Sequence, residues 1–399
     1  MTPTPEAPAA AGRRSALFAA AASLLLILLW LSLTVHFNYG GNWTGLFCTG
    51  SLLRQPPALA STTFTFANSY GYDGQFYRYV AHDPFFRHGY AAHIDNPRFR
   101  YRRGFTSLAA WALAFGRAQW IDAAYIAVIM LSAALGVYWS ARYLLWRGAH
   151  PAWSLLFLIL PSTVTSVDRM LTDGALGALF AAFVYYVARN CWHRAAAAAG
   201  LAFLTRETGL ILVAGLAAYW LLKRDFARAA GASAAVLPGI AWYAFVQVNT
   251  VDAPVPGAIA VPLSAWLTAI TTALPDALPP LQAAILKASY VTGLLGLAGT
   301  VLLAVLWSRT RSLGAVEISI YLFALMTALL GPVVMRDPYA YGRAASPLLL
   351  FLMLEASAAR VYGALLPPVV LSCAVGVLLS GQVAVVAKRL LGIAAQAGP

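Results

Sequence analysis

The sequence predicts an all-α integral membrane protein with about eleven transmembrane helices and a large outer loop carrying short interfacial helices. The first observation behind this is composition: hydrophobic residues fill 61% of 399 positions and charged residues only 10%. A soluble globular chain carries about 25% charged residues, and mean hydropathy here is +0.71. No soluble fold buries so much apolar surface. The second is that the apolar residues gather in runs long enough for helices, and the third is that basic residues between those runs follow a consistent alternation.

The first run, Ala16 to Val35, follows a Pro/Ala-rich tail that ends in Arg13-Arg14. No small-residue cleavage site comes after it, and His36, Phe37 and Tyr39 follow directly, so it reads as a retained helix rather than a signal peptide. Further runs lie at 121–143, 152–167, 171–189, 195–205, 208–222, 227–248, 288–308, 313–334, 342–358 and 363–386. Two are short, as broken or tilted helices would be. The organisation expected is one polytopic domain over 1–399, with a first outer loop at 37–120 and a second, proline-rich one at 249–287. The piece Gly104 to Gly116 is too short to span and reads as a helix lying along the outer surface.

If the spans alternate, Arg13/Arg14, Arg142/Arg147, Arg189/Arg194, Lys223/Arg224/Arg228, Arg309/Arg311 and Arg360 share one side, which is then the cytoplasm. The first loop lies outside despite its arginines (Arg54, Arg78, Arg87, Arg98, Arg100, Arg102, Arg103), because the rule holds for short loops. Asp73, Asp83, Asp95, Asp122, Asp168, Asp173, Glu207, Asp252, Asp276 and Asp337 map to the outer side as well. Chemistry is expected there. Cys48, Cys191 and Cys373 fall in an outer loop, an inner loop and a span, so none is placed to pair or to bind metal. The net charge of +13 favours anionic lipid or phosphate as a partner; no nucleic-acid module is present, and no Gly-rich phosphate loop points to a nucleotide-driven pump.

The densest polar cluster is Tyr70-Gly-Tyr-Asp-Gly-Gln-Phe-Tyr-Arg-Tyr-Val-Ala-His-Asp-Pro84, followed by Asn96-Pro-Arg-Phe-Arg-Tyr-Arg-Arg103. Helical spacing puts Asp73, Phe76, Tyr77 and Val80 on one face, so an interfacial helix would lay aromatics on the membrane surface and aim Asp73 into a cavity. Alternatively Asp73 is the N-cap of that helix. His82, His88 and His93, with Asp83 and Asp95, own the atoms for a divalent metal. Their spacings match no helical ligand pair, and the expectation is solvated loop groups with no cofactor.

The stretch Tyr72-Asp-Gly-Gln-Phe-Tyr-Arg-Tyr-Val-Ala-His-Asp-Pro84 resembles the outer-loop acidic motif of the GT-C superfamily of polyprenyl-phosphate-sugar-dependent glycosyltransferases, in a bacterial branch of cell-surface glycopolymer formation. It is also similar to the motif of GPI mannosyltransferases. Weaker likenesses are Thr172-Asp173, Thr205-Arg-Glu-Thr-Gly209 and Arg336-Asp-Pro-Tyr-Ala-Tyr-Gly-Arg-Ala-Ala-Ser-Pro347. Many members carry paired acidic residues where Asp73-Gly74 stands here. The resemblance implies a multi-pass protein of the bacterial inner membrane. It implies inverting transfer of a sugar from a polyprenyl-phosphate carrier to a glycan, lipid or protein acceptor on the non-cytoplasmic face.

Such a transfer needs a base for the acceptor hydroxyl and a cation for the departing phosphate. Asp73 fits the first role, and burial beside Tyr72, Phe76 and Tyr77 is expected to raise its proton affinity. Arginine suits the second because its planar fork grips phosphate with two hydrogen bonds. Arg343 and Arg206 come first, with Arg169 and Arg103 in reserve. Asp173, Glu207, Gln75, Tyr77 and Asp83 complete the expected substrate-binding set. Plainer alternatives stand beside these: an Arg206–Glu207 pair closing a hairpin, a snorkelling Arg343, and Asp168 or Asp173 capping a helix near Leu171 or pairing with Arg169. A lipid-linked saccharide transporter or a non-catalytic assembly subunit is the rival function.

Overall fold

A computed structural model describes residues 9–251, 257–270 and 279–392. Among these the chain is helical almost throughout, and its one sheet is a parallel pair of two-residue strands, Thr49–Gly50 and Thr65–Phe66. Helix ends follow local chemistry: Asn96 caps the helix Pro97–Arg102 and Asp337 caps Pro338–Ala359, each with proline in the first turn where its missing N–H costs nothing.

Among the described residues four helices are long and apolar enough to cross a bilayer: Gly12–Asn38, Ala118–Trp146, Phe226–Asn249 and Pro280–Arg309. A fifth crossing results if Tyr362–Leu378 and Ser380–Leu390, bent by 65°, form one span. The expected count of about eleven is therefore not reached by length and composition. The reason is geometric: Asp173–Ala188, Glu207–Leu222 and Ala315–Ala328 are each under 18 residues, and a helix rising 1.5 Å per residue needs about 20 residues to cross about 30 Å of hydrocarbon. Run 152–167 is a 3-10 helix, Pro151–Ile159, that breaks at Pro161 into a short α-helix ending at Arg169. In the second outer loop, Asp252, Asp276, Pro254, Pro256 and Pro275 lie outside the described residues, and from Pro280 onward the chain is already a long helix rather than loop.

The axis of the molecule is Pro338–Ala359. Every residue from Tyr341 to Ser357 is buried, as an all-round apolar helix must be when others sheathe it. Small residues let the sheath close: a side chain at Gly296 would strike the backbone of Leu371 at 2.7 Å, and one at Gly215 would strike Ser319 Oγ at 2.1 Å. In hydrocarbon such close backbone approach, more than side-chain volume, brings helices together.

The segment 37–120, expected as the first outer loop, folds as a cap of short helices. Its motif helix, Asp73–His82, does not lie on a surface with one face free, because every residue from Gly74 to His82 is buried. Phe76, Tyr79 and Val80 pack with Leu59, Ile94, Tyr101 and Val246, while Tyr77 and Ala81 pack with Leu46, Phe47, Ala110 and Tyr125. Arg78, wholly buried, grips Asp122 of the long helix Ala118–Trp146 through two bonds of 2.8 and 2.7 Å, and His82 reaches the same carboxylate at 3.0 Å. The cap is thereby bolted to the helix bundle. Phe105–Leu113 forms the expected short helix, with Leu113 and the following Phe115 exposed.

Candidate active site

Asp73 occupies the first turn of the motif helix, but it is not the cap. Tyr72 holds that position in extended backbone and makes no side-chain bond to the helix. The carboxylate is free to face outward from the helix end, where it meets two arginines: Arg100 Nη2 at 2.9 Å and Arg343 Nη1 at 3.5 Å. From here a continuous chain of alternating charges runs in both directions. Arg100 also holds Asp95 at 2.7 Å; Arg343 also reaches Asp173 at 3.5 Å; Asp173 pairs with Arg206; and Glu207 pairs with Arg103. Arg103 ends the chain on the Tyr77 hydroxyl at 3.1 Å. Residues from the cap, from the axis and from two bundle helices thus meet in one polar seam.

Each link has a local cause. Asn96-Pro97 starts a helix, and residues three apart then share a face, so Arg100 and Arg103 both turn toward the motif helix. Arg98 and Arg102 take the other face, donating to Thr250 Oγ1 at 3.3 Å and Gln247 Oε1 at 3.3 Å. Asp173 opens the helix Asp173–Ala188 just after Met170, whose φ of 50° turns the chain back on itself. Arg206 leaves the helix Trp192–Thr205 in extended backbone. Arg343 sits in the second turn of the axis helix and is buried, not snorkelling.

The expected pKa of Asp73 is reversed. Burial does push its carboxyl upward, but the Arg100 and Arg343 guanidiniums outweigh that and hold it well below the usual carboxylate range. The aromatic neighbours are present, and two nearby cations override them. Gly74 also gains a reason. A Cβ there would lie 2.1 Å from the carbonyl oxygen of Arg169, so the second carboxylate of a paired acidic motif has no room at this position.

The remaining expectations divide. Arg169 borders the seam, bonded to Asp168 at 3.3 Å and stacked over Tyr72 and Tyr339 with centroid distances of 4.5 and 5.1 Å. Arg206 and Glu207 approach each other only at 4.0 Å, since each has a closer partner. Gln75 is not available for substrate: its amide accepts from Gly50 N at 3.3 Å and donates to Tyr70 O at 2.8 Å, tying the strand-forming loop to the motif helix. Asp83 lies at the far end of that helix, about 15 Å along it, where it accepts the backbone N–H groups of Arg87, His88 and Tyr90. His82 is committed to Asp122. Among the described residues no group of His, Cys, Asp or Glu comes together as metal ligands do. Arg100 and Tyr339 are site residues that sequence reasoning did not single out; for Arg100 the signal was present, as the helix-face partner of Arg103.

The seam is partly open. The Asp73 side chain retains 24% of its accessible surface and Glu207 retains 42%, whereas Asp173 retains 2%. Asp73 and Glu207 are thus accessible carboxylates of the seam, and Arg343, only 10% exposed, touches the first of them. Compared with protein-family models, with curated proteins and with solved structures, the chain matches none.

Proposed function

We propose that this protein is a GT-C-like membrane glycosyltransferase, moving a sugar from a polyprenyl-phosphate carrier to a glycan, lipid or protein acceptor on the non-cytoplasmic face of a bacterial inner membrane. The observation that carries it is Arg343, a buried arginine shared at 3.5 Å between Asp73 and Asp173 and bound tightly to neither. In this reading the donor phosphate, bearing full negative charge and matching the guanidinium fork, draws Arg343 away from Asp73. Losing one of its two cations, Asp73 gains proton affinity. It then takes the acceptor hydroxyl proton as the oxygen attacks the anomeric carbon, the bond from that carbon to the phosphate oxygen breaks, and polyprenyl phosphate leaves on Arg343. Arg206 and Arg103 stay with Asp173 and Glu207 and hold the seam in register.

The bundle would make about eleven crossings, with the short helices and broken segments crossing as tilted or interrupted elements inside the sheath of longer ones. Sidedness is open to a direct test. Cys48 is buried and a poor labelling site, so the test uses Arg87→Cys and Arg224→Cys, both at exposed positions, in a background without native cysteines. An impermeant thiol reagent should label the first in intact cells and the second only after permeabilisation; the reverse pattern inverts the topology. For the reaction, purified protein is given polyprenyl-phosphate sugars and acceptor glycans. Wild type should release polyprenyl phosphate and Asp73→Asn should not. Equal release by both removes Asp73 as the base, and no release by wild type with any donor removes the reading.

A further inference from the structure

At the end of the bundle remote from Asp73 lies a cavity of about 750 Å³ into which Arg13, Arg14, Arg142 and Arg194 converge, beside Trp139 and Leu17. No carboxylate lines it among the described residues. Along the helix Ala118–Trp146, the rise from Asp122 at the cap to Arg142 at this cavity is about 30 Å, the thickness of a bilayer's hydrocarbon core. The cavity therefore sits at the level of the opposite head groups when the cap sits at its own.

We infer that this cavity binds the phosphate head group of an anionic membrane lipid. Its cations are placed rather than merely present. Arg142 is fixed by two neutral hydroxyls, Tyr138 at 2.9 Å and Tyr185 at 2.7 Å, so it is oriented while its charge stays uncompensated. Like charges gathered in one recess repel, and an anion relieves that repulsion. Trp139 packs on Tyr186 at 4.8 Å, forming an aromatic ledge of the kind found where membrane meets water. The feature that selects a lipid over a free phosphate is the neighbouring helix. Leu17 lines the cavity, and Phe18, Leu25 and Leu29 continue from it as an exposed apolar stripe on the same helix. Acyl chains can lie on that stripe while the phosphate enters the arginine recess.

The test uses full-length protein in neutral phosphatidylcholine nanodiscs, titrated with phosphatidylglycerol and read by native mass spectrometry of retained lipid. Wild type should retain phosphatidylglycerol in preference to phosphatidylcholine, and the triple variant Arg13→Gln/Arg14→Gln/Arg194→Gln should bind it more than tenfold more weakly. The control Arg224→Gln/Arg309→Gln/Arg360→Gln removes equal charge at exposed positions outside the cavity and should bind as wild type does. An equal loss in the control would make the effect general electrostatics and overturn the site. Displacement of the lipid by millimolar inorganic phosphate would overturn the lipid assignment in favour of a soluble ligand. Should the triple variant fail to fold, Tyr138→Phe/Tyr185→Phe, which releases Arg142 without removing charge, should still weaken retention. In wild type alone, equal retention of the two lipids defeats the inference.

Discussion

The two ends of the molecule use arginine in opposite ways. At the cap end Arg100, Arg343, Arg206 and Arg103 alternate with Asp95, Asp73, Asp173 and Glu207, and the seam is neutral overall. At the far end Glu355 is shared by Arg147 at 2.9 Å, by Arg311 and by the Tyr143 hydroxyl, and Arg311 also reaches Glu317 at 3.3 Å, while the arginines of the neighbouring cavity have no carboxylate among the described residues. The axis helix joins the two, carrying Arg343 and Glu355 about 18 Å apart. A neutral seam with one loosely held link suits a charged substrate that comes and goes, because exchange of partners costs little net charge. A cationic end whose two buried carboxylates, Glu355 and Glu317, are already engaged suits permanent structure and standing contact with anionic lipid.

The largest expected effect tests the seam's chemistry. Asp73→Asn keeps shape and removes the proton acceptor, and loss of a positioned base lowers rates by about 10²–10⁴-fold. Donor binding should survive, because Arg343 remains. In wild type, a carboxyl held below its usual range stays ionised as pH falls, so kcat/KM, which reports the free enzyme, should show no acid limb from this group above about pH 4. An Asp73→Asn rate near that of wild type would turn the seam into plain structure, like the far end.

The converse change is at the far end. Glu355→Gln strands Arg147 beside a buried neutral group, while Arg311 keeps Glu317 at 3.3 Å, and breaking a buried pair costs about 3–5 kcal/mol. Both arginines keep some exposure, which places the expected loss near the lower value. It should appear as a lower unfolding midpoint, with the transfer rate per folded molecule unchanged. A reduced rate without lost stability would mean the two ends are coupled through the axis helix.

Between these lies Gly74→Ala. The added Cβ meets the Arg169 carbonyl at 2.1 Å, and because the obstacle is backbone, either the motif helix or the Pro161–Arg169 helix end must shift. Overpacking of this kind costs about 1–3 kcal/mol, and it should also lower transfer by displacing Asp73 from Arg343. Unchanged stability and rate would show that the two segments are not in close contact.

How much of this was readable beforehand follows from where each signal is stored. Charged residues flanked by apolar sequence at helix ends, such as Arg206, Asp173 and Arg343, announce themselves because nothing but a partner explains them, and the seam brings all of them together. The membrane class is legible in composition alone. Gln75 and Asp83 stand in the same motif and look equally polar, yet both serve backbone N–H groups or carbonyls, a distinction invisible until the loop is folded. The pKa of Asp73 is hidden for a related reason: its aromatic neighbours are adjacent in sequence, whereas the two cations that lower it, Arg100 and then Arg343, come from another helix of the loop and from 270 residues away. The Glu355 cluster leaves no local trace in the sequence, its partner Arg147 being 208 residues distant. Crossing number is the hardest to read, because hydropathy reports apolar runs but not the breaks at Pro161 or near Leu379 that shorten them.

The smallest expected effect separates two arginines that look alike in sequence. Arg206 and Arg343 both stand at helix ends in the seam and both touch Asp173. Arg206 is held by Asp173 as its close partner and has Glu207 beside it at 4.0 Å, so it is spoken for before any ligand arrives. Arg343 is held at 3.5 Å on two sides and donates its Nε to the Tyr339 carbonyl at 3.1 Å, an arrangement that fixes the plane of the guanidinium and leaves one edge in loose contact. Lysine at 343 retains the charge but not the plane, and a point charge cannot make the paired bonds to phosphate. Donor affinity should therefore fall about tenfold, on the order of 1.4 kcal/mol, with stability little changed. Lysine at 206 should do the reverse, lowering the unfolding midpoint while donor affinity holds. Titrating each purified variant with a polyprenyl-phosphate sugar, alongside thermal unfolding, reads both quantities. If the affinity loss falls on Arg206→Lys instead, the exchangeable link of the seam is Arg206, and the phosphate belongs one residue pair further from Asp73.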